Sequence, residues 1–340
     1  MQKRPKVYIK CQNGIDFNIA IKDIFNEIED QIEFIESDAP DFILFGPYGN
    51  HFPPKGKYIR IGYFCENIIP DLSICEWGFG IPREEEINNP RYKRIQWHGL
   101  KPDTLVKNLS DNDIDFIINQ KQHFCNFIYS HPVAYRTHFF KELSKYKKID
   151  APGKSMNNMP SIDKKYSGNM WERKREFLSQ YKFTIAFENY VYPGYQTEKL
   201  YDSMLCNSLP IYCGDPFVGA VFNTDSFVNI PDYLNLSNSF WIDYIEKNAQ
   251  MTLTDILPQF HNNLKNKATR KVKSIARKLK MQLRFNRLNF QPVIERIIEI
   301  DQNQDLYIKY LKSPWLNHNK VSEHLSLKNR WLEIFNGHNK

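Results

Sequence analysis

Apolar residues along this chain come in short runs, and the polar stretches between them carry apolar positions at helical spacing. KVYIK (6–10), DFILFG (41–46) and YIRIGYF (58–64) have the length and content of buried strands. Between the first two, FNIAIKDIFNEI (17–28) repeats its apolar residues every three or four positions, as a packed helix does. Strand ends coincide with residues that turn the chain, such as Gly46-Pro47 and the Cys65-Glu66-Asn67 segment. The second half keeps this rhythm. CNFIYS (125–130) predicts a strand, 134–146 a helix, and 151–170 a polar loop. WERKREFLSQ (171–180) is helix-like and leads into the strand YKFTIAFE (181–188). A helix over 198–207, a strand LPIYC (209–213) and a strand SFVNI (226–230) follow. Strands alternating with helices predict α/β domains with mainly parallel sheets. An acidic, polar stretch at 111–115 puts a domain boundary near 118. Two α/β halves of similar size would leave a cleft between them, and ligands favour the carboxyl ends of such strands.

The pattern changes between 265 and 287. Ten residues there are Lys or Arg and none is acidic, while Val272, Ile275, Leu279 and Leu283 recur at spacings of three and four. The favoured reading packs that apolar stripe on the core and leaves a solvated basic face. The second reading lays the helix on an anionic membrane surface. Nucleic acid is the weakest of the three. From 292 to 335 the chain is again helix-like, with Trp315 and Trp331 as packing anchors.

Composition narrows the class without defining it. The 340 residues are 41% hydrophobic and 25% charged, which excludes general disorder. A net charge of +7 is too weak to argue for nucleic acid unless it is clustered. No run of about 18 apolar residues predicts a membrane span. The stretch MQKRPKVYIKCQNGIDF lacks the apolar core of a secretory signal, so a cytoplasmic protein is expected, peripheral on the inner face of a membrane if the basic helix binds one. Cys11, Cys65, Cys75, Cys125, Cys206 and Cys213 form no CxxC pair and read as reduced, mostly buried thiols. Asn-Leu-Ser sequons at Asn108 and Asn235 read as chance matches. Phosphate-binding GxxxxGK[ST], GxGxxG, HExxH and GxSxG motifs are all missing. Asp111, Asp113 and Asp115 match a DxD metal motif in form, but their polar setting reads as a solvated turn or helix cap.

Chemistry concentrates in YKFTIAFENYVYPGYQTEKLYDSMLCNSLPIYCGDPF (181–217). Thr197 is a natural N-cap for the helix after it, and an anion at that helix start would meet free N–H groups. Lys199 in the first turn is disfavoured by the helix dipole. On spacing alone it is a lysine reaching solvent; a bound phosphate would give it a purpose.

This segment resembles the donor-site signature of the glycosyltransferase family 10 α1,3/4-fucosyltransferases, bacterial type. The residues that carry the resemblance are Phe187-Glu188-Asn189, Tyr195-Gln196-Thr197-Glu198-Lys199-Leu200 and Pro210-Ile211-Tyr212-Cys213-Gly214. It extends to FIYSHPVAYRTHFFKEL and to IRIGYFCENIIPDLSICEWGFG, and covers most of 40–232. The resemblance implies a GT-B fold, two Rossmann-like domains facing each other across a cleft. It implies an acceptor domain over 1–118 and a GDP-fucose domain over 119–310, with a helical tail over 311–340; the basic helical insertion at about 262–290 has no counterpart in the resemblance. It implies an inverting α1,3-fucosyltransferase that moves L-fucose from GDP-β-L-fucose to a hydroxyl of GlcNAc in a lactosamine-type glycan, with no metal required. Glu66 matches the family's general base and Arg136 its pyrophosphate-binding arginine. Asn189, Tyr195, Glu198 and Lys199 match its donor contacts, and Glu188 reads as structural. An oligosaccharide or glycolipid, including bacterial lipopolysaccharide, is the implied acceptor; the expected membrane contact through 265–287 rests on the basic helix itself, and no nucleic-acid partner is expected. The Asn-Ile-Ile-Pro stretch after Glu66 is longer than in many relatives, which leaves the acceptor open. Rival readings are a GT-B transferase using another nucleotide sugar and a peripheral membrane or glycan-binding protein.

Overall fold

A computed structural model describes residues 4–234, 240–259, 263–285 and 289–337. Asn235 and Arg287 lie outside the described residues. In chain order the first elements are β1 (Lys6–Gln12), α1 (Phe17–Ile19), β2 (Glu33–Glu36), β3 (Phe42–Phe45), β4 (Ile59–Phe64), β5 (Trp77–Gly80), α2 (Glu84–Ile87) and β6 (Tyr92–Arg94). Next come α3 (Asp111–Gln120), β7 (His123–Asn126), α4 (Ala134–Leu143), β8 (Ile149–Asp150), α5 (Met170–Ser179) and β9 (Tyr181–Phe187). Then follow α6 (Glu198–Leu205), β10 (Leu209–Cys213), β11 (Val228–Asn229), α7 (Phe240–Ala249), α8 (Leu253–Ile256) and α9 (Leu264–Phe285). The chain closes with α10 (Gln291–Gln302), α11 (Gln304–Lys312) and α12 (Lys328–Gly337).

Two compact units emerge, neither continuous in sequence. One comprises Met1–Lys101, Asp243–Lys278 and Ser322–Lys340; the other comprises Pro102–Ile242 and Leu279–Val321. The boundary falls before 118 because α3 packs with α11, inside the second unit. The expected tail is likewise not separate. Trp331 of α12 stacks on Phe79 at 4.0 Å between centroids and meets Phe25 edge-on at 4.9 Å, and Phe335 meets Phe42 at 4.9 Å. The helix is thus one cover of the first unit's sheet.

That sheet has the order β2-β1-β3-β4-β5-β6, and every pairing is parallel. Strands buried on both faces read as unbroken apolar runs, as Phe42–Phe45 does. Gly62 and Gly78 are paired across β4 and β5. A Cβ at Gly62 would lie 2.5 Å from the Phe64 ring, and one at Gly78 would lie 2.2 Å from Leu72, so both strands need glycine to admit their neighbours. The second sheet runs β11-β10-β9-β7-β8, again all parallel.

Helix α9 reverses the favoured expectation. Its apolar stripe faces solvent: Val272, Ile275, Leu279 and Leu283 are 65%, 56%, 46% and 47% exposed. The inward positions are Lys280, Met281, Arg284 and Phe285. The inner face keeps its cations because partners are there. The Lys273 ammonium pairs with Asp255 at 2.5 Å, Arg277 donates to the Ala249 carbonyl, and Lys280 donates to the Val191 carbonyl. No described helix is long and apolar enough to cross a membrane. Trp315 and Trp331 are fully buried, as expected of anchors, and all six cysteines are free thiols.

Truncating Trp331 to alanine removes the ring wedged between Phe25 and Phe79, and should cost about 3–5 kcal/mol. Urea denaturation followed by circular dichroism should show the lowered midpoint.

Candidate active site

Each sheet has one point where the chain reverses its direction of growth; the predicted donor residues gather at that of the second sheet, and Glu66 follows β4, one strand beyond that of the first. In the second sheet β7 leads outward to β8, and the chain then returns to lay β9 on the other side of β7. Open α/β sheets bind ligands outside the carboxyl ends of strands at such a switch. The segment after β7 supplies Tyr129, His131 and, in the first turn of α4, Arg136. The segment after β9 supplies Glu188, Asn189, Tyr195 and the start of α6.

Arg136 is only 1% exposed. Its guanidinium lies over the Tyr129 ring at 3.7 Å, donates from Nη2 to the His131 carbonyl at 2.7 Å, and donates from Nη1 to Asn189 Oδ1 at 3.0 Å. Its Nε is buried with no hydrogen-bond partner. Among the described residues no carboxylate forms an ion pair with it. A buried cation surrounded by neutral acceptors leaves positive charge uncompensated.

Beside it, Thr197 caps α6 by accepting from the Lys199 N–H. Thr197 in turn is held by Glu188, whose Oε1 accepts from the Thr197 N–H at 2.9 Å. The Lys199 ammonium sits 3.5 Å from Glu188 Oε2 and 3.3 Å from Glu198 Oε1. Burial alone would lower the Lys199 pKa, but the two carboxylates outweigh it and hold the ammonium above the ordinary lysine range, while Arg136 pulls the other way. That opposing pull means the two cations share one field. Burial raises the Glu188 carboxyl above the usual range, and Lys199 and the Thr197 hydroxyl hold the rise down. For Glu198 burial also acts upward, but Lys199 and Lys174 carry it below the usual range.

Four of the predicted donor residues therefore stand together: Arg136, Asn189, Glu198 and Lys199. Tyr195, half-buried, lies on the same loop two residues before the cap, and its N–H donates to the Tyr192 carbonyl. Glu188 was expected to be structural, and its bonds make it the bracket that fixes Thr197 and Lys199. Asp215 is a member of the scaffold that the sequence reading missed. It accepts from the Gly194 N–H at 2.9 Å, the Phe217 N–H at 2.9 Å and Gln196 Nε2 at 2.6 Å, stitching the loop before Thr197 to the end of β10. Gly194 takes a left-handed φ of +81° there, which suits glycine. The far end of α9 braces the same site: Lys280 donates to the Val191 carbonyl, and Phe285 stacks at 4.4 Å on Tyr135 of α4, whose hydroxyl donates to the Glu188 carbonyl.

Glu66 belongs to the other unit. It follows β4 and lies near the first sheet's own reversal, between β1 and β3. The Tyr48 hydroxyl donates to Glu66 Oε1. Tyr48 is held in place because the β1 loop turns left-handed at Asn13 and Gly14, and a Cβ on Gly14 would lie 2.9 Å from the Tyr48 ring. Burial and then Glu66 raise the Tyr48 phenol well above its ordinary pKa, so it stays a donor. Segment 250–257 clamps the loop after Glu66. Gln250 Nε2 donates to Asn67 Oδ1 at 2.9 Å, and Ile68 packs with Leu253 and Leu257. The longer Asn-Ile-Ile-Pro stretch thus has a packing partner within its own unit.

The aspartate cluster resolves as a helix cap. Asp113 closes a capping box with Ser110, and Asp111 pairs with Lys312 at 2.6 Å. No group of three or more His, Cys, Asp or Glu placed to hold a metal is found among the described residues.

Two parallel-sheet α/β units with clustered cations at a strand reversal define the class: a GT-B fold carrying a glycosyltransferase domain. Residues 118–254 match the family model for glycosyltransferase family 10 (fucosyltransferase), C-terminal part. An α-(1,3)-fucosyltransferase of Helicobacter pylori is 37% identical over 231 residues, covering 57% of this chain and 46% of the relative. A putative fucosyltransferase of Acanthamoeba polyphaga mimivirus is 37% identical over 131 residues, covering 36% of this chain and 21% of the relative. The matches thus span less than half the length of these curated relatives. A crystal structure of an α1,3-fucosyltransferase with GDP-fucose superposes with a TM-score of 0.64 at 20% identity, covering 100% of this chain and 93% of that one. The fold is therefore shared.

Gly214 tests the scaffold directly. A Cβ there would lie 2.4 Å from Tyr212 Oη and 2.5 Å from Glu188 Cγ, both buried, whereas at Gly219 the nearest atom is 3.6 Å away. Gly214→Ala should lose about 1–3 kcal/mol. Gly219→Ala should be neutral or gain about 0.4–1 kcal/mol by restricting the unfolded chain. Paired urea titrations of the two variants check the contrast.

Proposed function

We propose that the chain is an inverting fucosyltransferase that uses GDP-β-L-fucose and forms an α1,3 linkage to GlcNAc in a lactosamine-type oligosaccharide or glycolipid. The observation that carries the reading is the pair of cations at the second sheet's reversal, Arg136 buried without a carboxylate partner and Lys199 within its field. A diphosphate supplies the missing negative charge. Arg136 suits a two-pronged grip on it, and Lys199 adds a point charge. Asn189 and Tyr195 offer donors to phosphate or sugar oxygens. Glu198, an anion, suits sugar hydroxyls rather than phosphate.

The chemistry assigns the remaining role. The acceptor oxygen attacks the anomeric carbon as the bond from that carbon to the diphosphate oxygen breaks, and configuration inverts in one displacement. The acceptor proton passes to the Glu66 carboxylate as general base. The electron pair of the broken bond leaves with GDP, where Arg136 and Lys199 stabilise the growing charge. Two fixed cations supply the leaving-group stabilisation that a divalent metal provides elsewhere, so no metal is required. Tyr48 orients Glu66 by donating to one carboxylate oxygen, leaving the other to the substrate.

Incubation with GDP-fucose and N-acetyllactosamine, with linkage analysis of the product, tests the whole reading. Transfer from a different nucleotide sugar alone would overturn the donor assignment, and complete, metal-reversible loss in EDTA would overturn the metal-free mechanism. Glu66→Gln should lower kcat by about 10²–10⁴-fold while GDP-fucose affinity is retained. Arg136→Met and Lys199→Met should each weaken GDP binding in calorimetry. Tyr48→Phe should lower kcat with GDP-fucose affinity unchanged, because the hydrogen bond it removes belongs to the base alone.

A further inference from the structure

The outer face of α9 is apolar and exposed. Leu264, Val272, Ile275, Leu279 and Leu283 are 82%, 65%, 56%, 46% and 47% exposed and lie in one stripe. From first to last the stripe is about 28 Å long at 1.5 Å per residue. Single exposed apolar residues are ordinary, but a continuous line of five on one helix marks an interaction surface. The opposite face is where the helix attaches. Arg270, Lys273, Ser274 and Arg277 line a cavity of about 180 Å³ with Met251 and Asp255, about half a turn away from the stripe. The stripe therefore cannot turn inward without withdrawing Lys273 from Asp255 and Arg277 from the Ala249 carbonyl.

We propose that this stripe docks α9 flat on an anionic lipid bilayer, with the apolar side chains in the acyl boundary and the flanking lysines at the headgroups. Charge selects that occupant. Lys265, Lys267, Lys271 and Lys278 are exposed beside the stripe, and no acidic residue occurs between 265 and 287. A second copy of the chain would set two such helices against each other, and their like charges repel; anionic headgroups attract both. A helix with one apolar face, a polar face rich in lysine and low overall hydrophobicity lies in the membrane interface rather than across it. The inference stands on α9 alone and holds whatever sugar the protein transfers.

Vesicle sedimentation of the full chain tests it. Wild type should partition onto vesicles of two-thirds phosphatidylcholine and one-third phosphatidylglycerol, and less onto phosphatidylcholine alone. Val272→Ser, Ile275→Ser, Leu279→Ser and Leu283→Ser combined should weaken partition by roughly 100-fold or more. Lys267→Gln, Lys271→Gln and Lys278→Gln combined should lose roughly 100-fold on the anionic vesicles, while binding to phosphatidylcholine stays the same. All seven side chains are exposed, so both variants should keep the wild-type melting temperature and GDP affinity. Equal partition of wild type and the serine variant overturns the proposal. So does wild type that ignores both vesicle types, or a wild-type dimer in sedimentation velocity that the serine variant abolishes.

Discussion

A guanidinium sealed from water must find acceptors or opposite charge, and Arg136 finds mostly acceptors. This requirement orders both segments at the second sheet's reversal. The His131 carbonyl has to turn inward, Asn189 has to offer its oxygen, and the Tyr129 ring has to lie flat against the guanidinium. Tyr129 is in turn immobilised by its hydroxyl, which donates to the Ile185 carbonyl at 2.7 Å and accepts from the Phe187 N–H at 2.8 Å. The charge is thus built into the ends of β7 and β9 and does not depend on a flexible side chain. Truncated to a neutral residue, Arg136 would leave these inward-turned acceptors without a donor.

Glu188 performs the matching task for Lys199. An aliphatic chain with an ammonium end has several rotamers, and a buried carboxylate fixed by the Thr197 N–H and hydroxyl selects one of them. The bracket works only because Gly214 leaves room for the Glu188 side chain and Asp215 holds the loop before Thr197. Lys199 is dipole-disfavoured where it stands in α6, and its two carboxylate neighbours explain how the fold tolerates it.

What the sequence revealed follows from the range of the interactions involved. β3, β4, β9 and β10 are buried on both faces, so their apolar runs announced them. β2, with half-exposed EFIE at a sheet edge, and β5, with glycine at every second position of WGFG, carry no such run. The candidate donor residues were readable because Asn189, Tyr195, Glu198 and Lys199 sit in one contiguous segment. Tyr48 was not readable because its partner lies 18 positions away, and Asp215 because its bonds to Gln196 and Gly194 reach 19–21 positions back while its one local bond, to the Phe217 N–H, is an ordinary turn contact. Helix α9 shows the converse limit. Spacing gave the helix and its stripe correctly, but which face turns inward was decided by Asp255 and by the Ala249 and Val191 carbonyls, groups that periodicity cannot see.

The excursion from 243 to 285 bears on both sites from within each unit. Its residues 250–257 brace the loop after Glu66, and Lys280 and Phe285 brace the site around Glu188. The cations Lys273, Arg277 and Lys280 on the inner side of α9 each have a partner within the fold. The outward stripe of α9 is instead largely exposed, at 46–65% for Val272, Ile275, Leu279 and Leu283, and belongs to no buried core. Folding stability alone gives no reason for leucine, valine and isoleucine to occupy those positions, since lysine or glutamate there would favour the helix as well and water better. The apolar character of the stripe must therefore answer to something outside the folded chain.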